Sequence, residues 1–188
     1  MGIPVAEAVR EPVELEFFYG PEMSVRSING GWGHVIVVTE SGRVYSQGLN
    51  DYGQLALGDV ETRRIPTLVQ FFESLKEQNY LEQVQDVKCG SYHSLFLTRT
   101  GNLYGCGYNE MGSLASGVDS CISIPVLIMQ FPNLLVGGPQ YQVEVRSWCY
   151  TTCILVKKRV KRVQRFFRCL KSFAIEEYKF SDLEISIN

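Results

Sequence analysis

Histidine is scarce in this 188-residue chain: there are two, His34 and His93. A catalytic reading would need a nucleophile or an acid held nearby, and the recurrence of the two at equivalent repeat positions favours a structural role instead. Cysteine spacing excludes as much. Cys89, Cys106, Cys121, Cys149, Cys153 and Cys169 include no C-x-x-C pair, and Cys149 and Cys153 lack a nearby histidine, so they read as buried thiols rather than metal ligands. No G-x-x-x-x-G-K-[ST] loop exists to cradle a phosphate. No apolar run approaches the roughly 18 residues of a membrane span. The N-terminal "MGIPVAEAVREPVELEFF" carries acids and prolines where a secretory signal needs an apolar core. Reduced thiols and a place in the cytoplasm, the nucleus or both are therefore expected. No cofactor and no small-molecule substrate are expected.

Glycine, by contrast, is abundant and regularly placed. "SGRVYSQGLNDYGQLALG" at 41–58 is answered by "TGNLYGCGYNEMGSLASG" at 100–117. Gly42, Gly48, Asn50, Gly53 and Gly58 recur as Gly101, Gly107, Asn109, Gly112 and Gly117, each 59 residues on. Gly31 and His34 recur in the same way as Gly90 and His93, and Ile65-Pro66 as Ile124-Pro125. Two units follow, at about 28–69 and 87–128, with a period suited to propeller blades rather than short helical solenoid repeats.

Each unit reads as strands. His34 to Val38 is apolar enough to be buried on both faces. Ser41-Gly42 reverses the chain, because glycine accepts the positive φ of hairpin turns, and Val44 to Gln47 runs back. Thr100-Gly101 does the same in the second unit. Gly48 and Gly53 bracket a loop in which Asn50 is expected to adopt a left-handed conformation. Ile65-Pro66 opens a short edge strand. His34 and His93, recurring by repeat symmetry, are expected to tie one blade to the backbone of the next.

The pattern G-x-x-H…T-x-x-G-x-x-Y…G-x-N-x-x-G-x-L-x-x-G resembles the repeat of the regulator of chromosome condensation family, found also in alpha-tubulin-suppressor-like proteins. That resemblance implies an all-β fold, here a partial β-propeller of about two to three blades. It also implies a protein-binding role. Members include guanine-nucleotide exchange factors for small GTPases, chromatin-bound proteins, and propellers attached to kinases or ubiquitin ligases. After the second unit the pattern decays. "VEVRSWCYTTCILV" aligns with the start of that unit at an offset of 58, but Trp148 stands for Gly90 and Thr151 for His93. One degenerate strand region, 143–156, is expected of a third unit. At the other end, "ELEFFYGPEMSV" is read as one strand of a preceding blade. Exposed edges of such an array favour self-association or docking on a partner.

The resulting organisation is an N-terminal extension at 1–23, repeats at 24–156 and a basic tail with an acidic end at 157–188. The tail holds the one strong charge bias: residues 157–171 carry 8 basic and no acidic side chains, in a chain of net charge −2. Val156, Val160, Val163, Phe167, Leu170 and Ala174 follow a near-heptad spacing, which predicts an amphipathic C-terminal helix packed over the open end. Lys157, Lys158, Arg159, Lys161, Arg162, Arg165, Arg168 and Lys171 would form its exposed, partner-binding ridge. "KKRVKR" resembles a nuclear import signal, and "VQRFFR" the first half of an IQ motif. A nucleic-acid backbone or an anionic membrane would also suit the ridge.

The function expected is a non-enzymatic protein–protein interaction module, its partner a small GTPase, a scaffold component or a second copy. The alternatives are a guanine-nucleotide exchange factor for a small GTPase, and a chromatin, nucleic-acid or membrane-surface binder acting through the tail.

Overall fold

A computed structural model describes residues 16–117, 120–131, 141–158 and 165–170. Eleven strands among these form three antiparallel sheets. The first joins β1 (Val25–Gly30), β2 (His34–Thr39), β3 (Val44–Gly48) and β4 (Arg63–Leu68) in chain order. The second repeats that order with β5 (Val84–Cys89), β6 (His93–Thr98), β7 (Asn102–Gly107) and β8 (Ile122–Gln130). Residues 34–38 and 93–97 thus occupy equivalent strands. The innermost strands lie side by side, β1 near β5 and β5 near β9, as blades radiating from one axis require.

Alternation along the strands builds one core on each side of the second sheet. Phe96 of β6 points toward the first sheet and meets Ile36, Val38 and Val44. Its neighbours Leu95 and Leu97 point the other way, where Val145 and Ile154 of the third sheet close a second cluster. A nine-residue helix, α1 (Gln70–Gln78), links β4 to β5. Phe72 inserts from it, 2 % exposed, with its ring 4.7 Å from that of Phe96.

Several expectations are corrected. The described part of "ELEFFYGPEMSV", from Glu16 on, is not a strand of a preceding blade: Glu16–Phe18 and Pro21–Met23 are short 3-10 turns, and the extended chain begins at Val25. Gly20 at φ +115 followed by Pro21 breaks the run, while Phe17 and Phe18 pack on the Tyr45 ring at 5.4 and 5.8 Å. The third unit has three strands rather than one region of strand: β9 (Tyr141–Trp148), β10 (Thr151–Lys158) and β11 (Arg165–Leu170), ordered β11-β10-β9. No amphipathic helix occupies the described part of the tail. Lys157 and Lys158 end β10, and Arg165 and Arg168 lie in β11, whose pairs run from Thr152↔Leu170 to Lys157↔Arg165. The physical reason is the hydrogen-bonding edge of β10, already paired on its other side with β9 over eight residues. A segment with such an edge beside it gains ladder bonds there, and the paired aromatic residues Phe166 and Phe167 of β11 suit a strand. Arg159, Lys161, Arg162 and Lys171 lie outside the described residues, as does the acidic end.

Asn50 does not take the left-handed conformation; Ala56 does, at φ 63, and Ala115 repeats it at φ 46. Asn50 is fully buried, and its Oδ1 accepts from the Leu55 N–H at 2.9 Å while its Nδ2 donates to the Asp59 carbonyl at 2.9 Å. Asn109 copies the first bond, accepting from Leu114 N–H at 2.8 Å, and donates to Ser116 Oγ at 2.9 Å. The loop is therefore held by an amide side chain that substitutes for missing backbone partners. Asn109→Ala should cost about 2 kcal/mol, because the buried Leu114 N–H is left without an acceptor. Chemical denaturation of the variant against the parent measures it. Finally, Pro66 sits inside β4 rather than at its start, at an irregularity between the pairs Ser46↔Thr67 and Gly48↔Arg63 of an edge strand.

Candidate interaction face

Both histidines sit in seams between sheets. Their G-x-x-H loops bend so tightly that a side chain at Gly31 would strike the His34 ring, whose Nδ1 lies 2.6 Å from where a Cβ would be. Gly90 bears the same relation to His93, and its Cβ would also lie 2.7 Å from the Cys149 carbonyl oxygen. The glycines let each imidazole fold back while the next sheet's loop approaches. His34 Nε2 lies 2.9 Å from Ser94 Oγ, which itself donates to the Gln54 carbonyl at 2.8 Å. With its proton used there, Ser94 accepts from His34, so that ring is the Nε2–H tautomer. His93 Nε2 meets Ser147 Oγ at 2.7 Å and Thr152 Oγ1 at 3.2 Å on the third sheet. The tie to the neighbour is thus through hydroxyl side chains rather than the expected backbone groups.

Burial drives both rings to the neutral form, each pKa lowered from 6.5 to about 4, with the His34 charge adding to the shift of His93. His93 Nδ1 is buried without a partner. An imidazolium there would carry an unsatisfied N–H, a second reason the charged form is disfavoured. Cys89 and Cys106, buried in the same seam, have thiols pushed upward, Cys89 to about 12. Cys121 and Cys149 are exposed rather than buried, and Cys153 is half-buried. Among the described residues no group of three or more His, Cys, Asp or Glu side chains comes together.

The loops just above these seams present aromatic rings to solvent. Backbone bonds lace them across all three sheets: Trp32 N–H donates to Ser91 O at 3.1 Å, and Ser91 N–H to Cys149 O at 2.9 Å. The loops after β3 and β7 join them, Leu49 N–H bonding Gly33 O and Tyr108 N–H bonding Tyr92 O, both at 2.8 Å. On this frame Tyr52, Tyr92, Tyr150 and Tyr108 form a closed circuit, with ring centroids 5.2, 5.9, 5.4 and 5.2 Å apart in turn. Trp32 joins at Tyr92, 5.5 Å away. Trp32 is 68 % exposed and Tyr150 44 %, and Met111 beside them is 51 % exposed. Tyr52 meets Tyr92 and Tyr108 edge-to-face, as Trp32 meets Tyr92, while Tyr150 packs tilted on Tyr92 and Tyr108, so the rings hold one another in place.

The charge around the rings has one sign. The loops at 31–33, 49–53, 90–92, 108–112 and 149–150 contain Asp51 and Glu110, both exposed, and no lysine or arginine. Tyr108 Oη donates to Glu110 Oε2 at 3.2 Å. Desolvation among the rings, with Tyr150, Tyr52 and Asp51 behind it, raises the Tyr92 hydroxyl above its ordinary pKa.

The sequence reading missed this face. It singled out residues shared between repeats, and those lie beneath the rings as seam and turn positions. Most of the rings sit where the repeats differ: Trp32 aligns with Ser91, Tyr52 with Met111, and Tyr108 with Leu49. Tyr92 and Tyr150 alone are counterparts, at the offset of 58. The available signal was ten tyrosines, five of them flanking glycine-rich loops or β-turns of the repeats at 45, 52, 92, 104 and 108.

Tandem four-stranded antiparallel sheets sharing an inner edge and laced by these loops are blades of a β-propeller. The family profile for the regulator of chromosome condensation (RCC1) repeat matches residues 41–97, and a second profile of that repeat matches 25–54 and 84–113. Residues 25–113 therefore carry regulator of chromosome condensation repeats. It is similar to the ultraviolet-B receptor UVR8 of Arabidopsis thaliana, 28 % identical over 143 residues that make up 76 % of this chain and 29 % of the receptor. It is 37 % identical over 97 residues to the RCC2 homolog of Xenopus laevis, covering 50 % of this chain and 18 % of that protein. Human WBSCR16 shares the fold, with a TM-score of 0.54 and 23 % identity over 71 % of this chain and 32 % of its own. The chain spans less than a third of the length of these relatives.

Proposed function

We propose that the chain is a non-enzymatic protein-interaction module whose contact surface is the aromatic end of its blades. The observation that carries this reading is the frame of backbone hydrogen bonds from Trp32 through Ser91 to Cys149, which holds the rings in place before any partner arrives. Rigid tyrosine and tryptophan side chains contribute large contact area at small entropic cost, which is why they recur at interface centres. The two histidines, neutral and committed to the seams, support a binding rather than a catalytic role.

Placing a photo-crosslinking benzoylphenylalanine at position 32 tests the face, with the same residue at position 77 on α1 as the comparison. Cross-linked products in cells should concentrate at 32; equal yields at both positions would sink the proposal. Trp32→Ala should stay within about 0.5 kcal/mol of the parent in stability, as for other exposed positions, yet added in excess it should fail to suppress the cross-linking that excess parent protein suppresses. A thermal melt run beside the capture separates the two effects.

The rival reading is regulation of a small GTPase by nucleotide exchange. It rests on the repeat family and predicts faster release of a fluorescent guanine nucleotide from the GTPase on addition of this chain. A basic partner surface through Lys157, Lys158, Arg165 and Arg168 remains a separate proposal. It draws on the sheet formed by β10 and β11 carrying these residues, and predicts binding to nucleic acid or anionic vesicles that falls steeply with salt.

A further inference from the structure

The aromatic face carries a chemical preference of its own. We propose that it binds an extended basic peptide segment of a partner protein, holding arginine side chains against the circuit of Tyr52, Tyr92, Tyr150 and Tyr108. The inference rests on this end being the contact face and names what it contacts.

Three features converge. The first is the density of π surface: four tyrosines in mutual contact, with Trp32 adjoining, offer a guanidinium several rings within about 6 Å at once, the range over which a cation is attracted to an aromatic face. The second is charge. Asp51 follows Asn50 into the loop, lies beside Tyr52 in sequence and acts on the Tyr92 hydroxyl, and Glu110 takes the Tyr108 hydroxyl bond. A carboxylate therefore stands at two corners of the circuit, and no positive side chain in these loops neutralises either one. The ring circuit is thus electron-rich and its rim negative, which favours a cation and disfavours an acidic or purely apolar partner. The third is length. From Trp32 through Tyr92 and Tyr52 to Tyr108 the links are 5.5, 5.2 and 5.2 Å. The path is at most about 16 Å, the reach of about five extended residues. Two arginines two or three positions apart would place one guanidinium near each carboxylate. Arginine fits better than lysine, since its planar fork stacks on a ring and pairs a carboxylate through two hydrogen bonds.

The test uses the full chain and three synthetic peptides of nine residues: oligo-arginine, oligo-lysine and oligo-glutamate. Binding is followed by calorimetry and by the fluorescence of tryptophan at low and moderate salt. Oligo-arginine should bind more tightly than oligo-lysine, and oligo-glutamate should not bind. Tyr92→Leu and Tyr150→Leu keep apolar area but remove the ring, and each should weaken oligo-arginine binding about fivefold. Tyr92→Phe and Tyr150→Phe keep the ring and should bind nearly as the parent does. Asp51→Asn and Glu110→Gln should each weaken binding about threefold and flatten its salt dependence. These surface carboxamide variants do not touch the cores, so they keep the test decisive where a ring replacement disturbs the fold. Equal affinity of the leucine variants and the parent overturns the inference, because binding would then be diffuse attraction to a negatively charged chain. Absence of oligo-arginine binding below millimolar concentration overturns it as well. Either failure leaves the contact face itself to be decided by the cross-linking at position 32, which does not depend on the charge of the partner.

Discussion

Gly107→Val is expected to lower stability by about 4 kcal/mol, a large part of the roughly 5–15 kcal/mol that holds a typical domain together. Two costs combine. Gly107 has φ +106, a region that a β-branched residue enters only with strain of about 1–3 kcal/mol. A Cβ there would also press on the Tyr92 carbonyl oxygen and stand 2.6 Å from His93 Cα, and backbone cannot swing aside as a side chain does. Overpacking of this kind adds about 1–3 kcal/mol. Gly48 is the same position one repeat earlier, at φ +113 with His34 Cα 2.7 Å from the missing Cβ, so Gly48→Val should match it. Gly117→Ala separates the two costs. Its φ is +73 but nothing lies within 4 Å of the added methyl, so it should lose only about 1 kcal/mol. Urea melts of the three variants check the ranking. A Gly107→Val protein as stable as Gly117→Ala would mean that the β6–β7 end relaxes freely and that the G-x-x-H loop above it is not a rigid support.

That same rigidity explains which parts of the molecule were legible in sequence. Gly31, Gly48, Gly90 and Gly107 are required by backbone approach, so they recur at one offset and betray the blades. The strands between them follow from alternation, and β2 and β6 appear where their apolar runs lie. The helix α1 was not read because it falls between the repeat units. Its Phe71, Phe72 and Leu75 form too short a stripe to stand out, and its packing on Phe96 needs the second sheet to be present. The tail misled for a related reason. A near-heptad spacing from Val156 to Leu170 is equally compatible with two strands once β9 supplies an edge, and no local feature of the sequence announces that edge. The ring circuit was invisible for the opposite reason to the glycines. Function placed on a repeat scaffold uses positions where the copies differ, so comparing copies hides Trp32, Tyr52 and Tyr108 while displaying the seams that support them.

Stability should fall as the solution is acidified from pH 6.5 toward 4, and the two seam histidines should supply most of the slope. Each has a folded pKa of about 4 against an unfolded value near 6.5. Above pH 6.5 both states are neutral at these rings and they contribute no pH dependence. Below it the unfolded chain takes up protons that the folded chain refuses, so the folded state loses about 1.4 kcal/mol per pH unit for each histidine. The loss saturates near pH 4, at about 3 kcal/mol per ring, once the folded seam itself protonates. The cleanest window is pH 6.5 to 5, above the range in which most carboxylates titrate. There the parent should lose about 3 kcal/mol in all, since the unfolded rings are already half protonated at pH 6.5, measured as the urea midpoint at each pH. His34→Gln keeps a donor for Ser94 Oγ and His93→Gln one for Ser147 and Thr152, but neither side chain titrates. Each single variant should halve the slope and the double variant should abolish it. A parent protein whose stability is flat over this window would show that the imidazoles reach water in the folded state. The seams would then be loose, and the hydrogen-bonded frame beneath Trp32 and Tyr92 would no longer account for a preformed binding face.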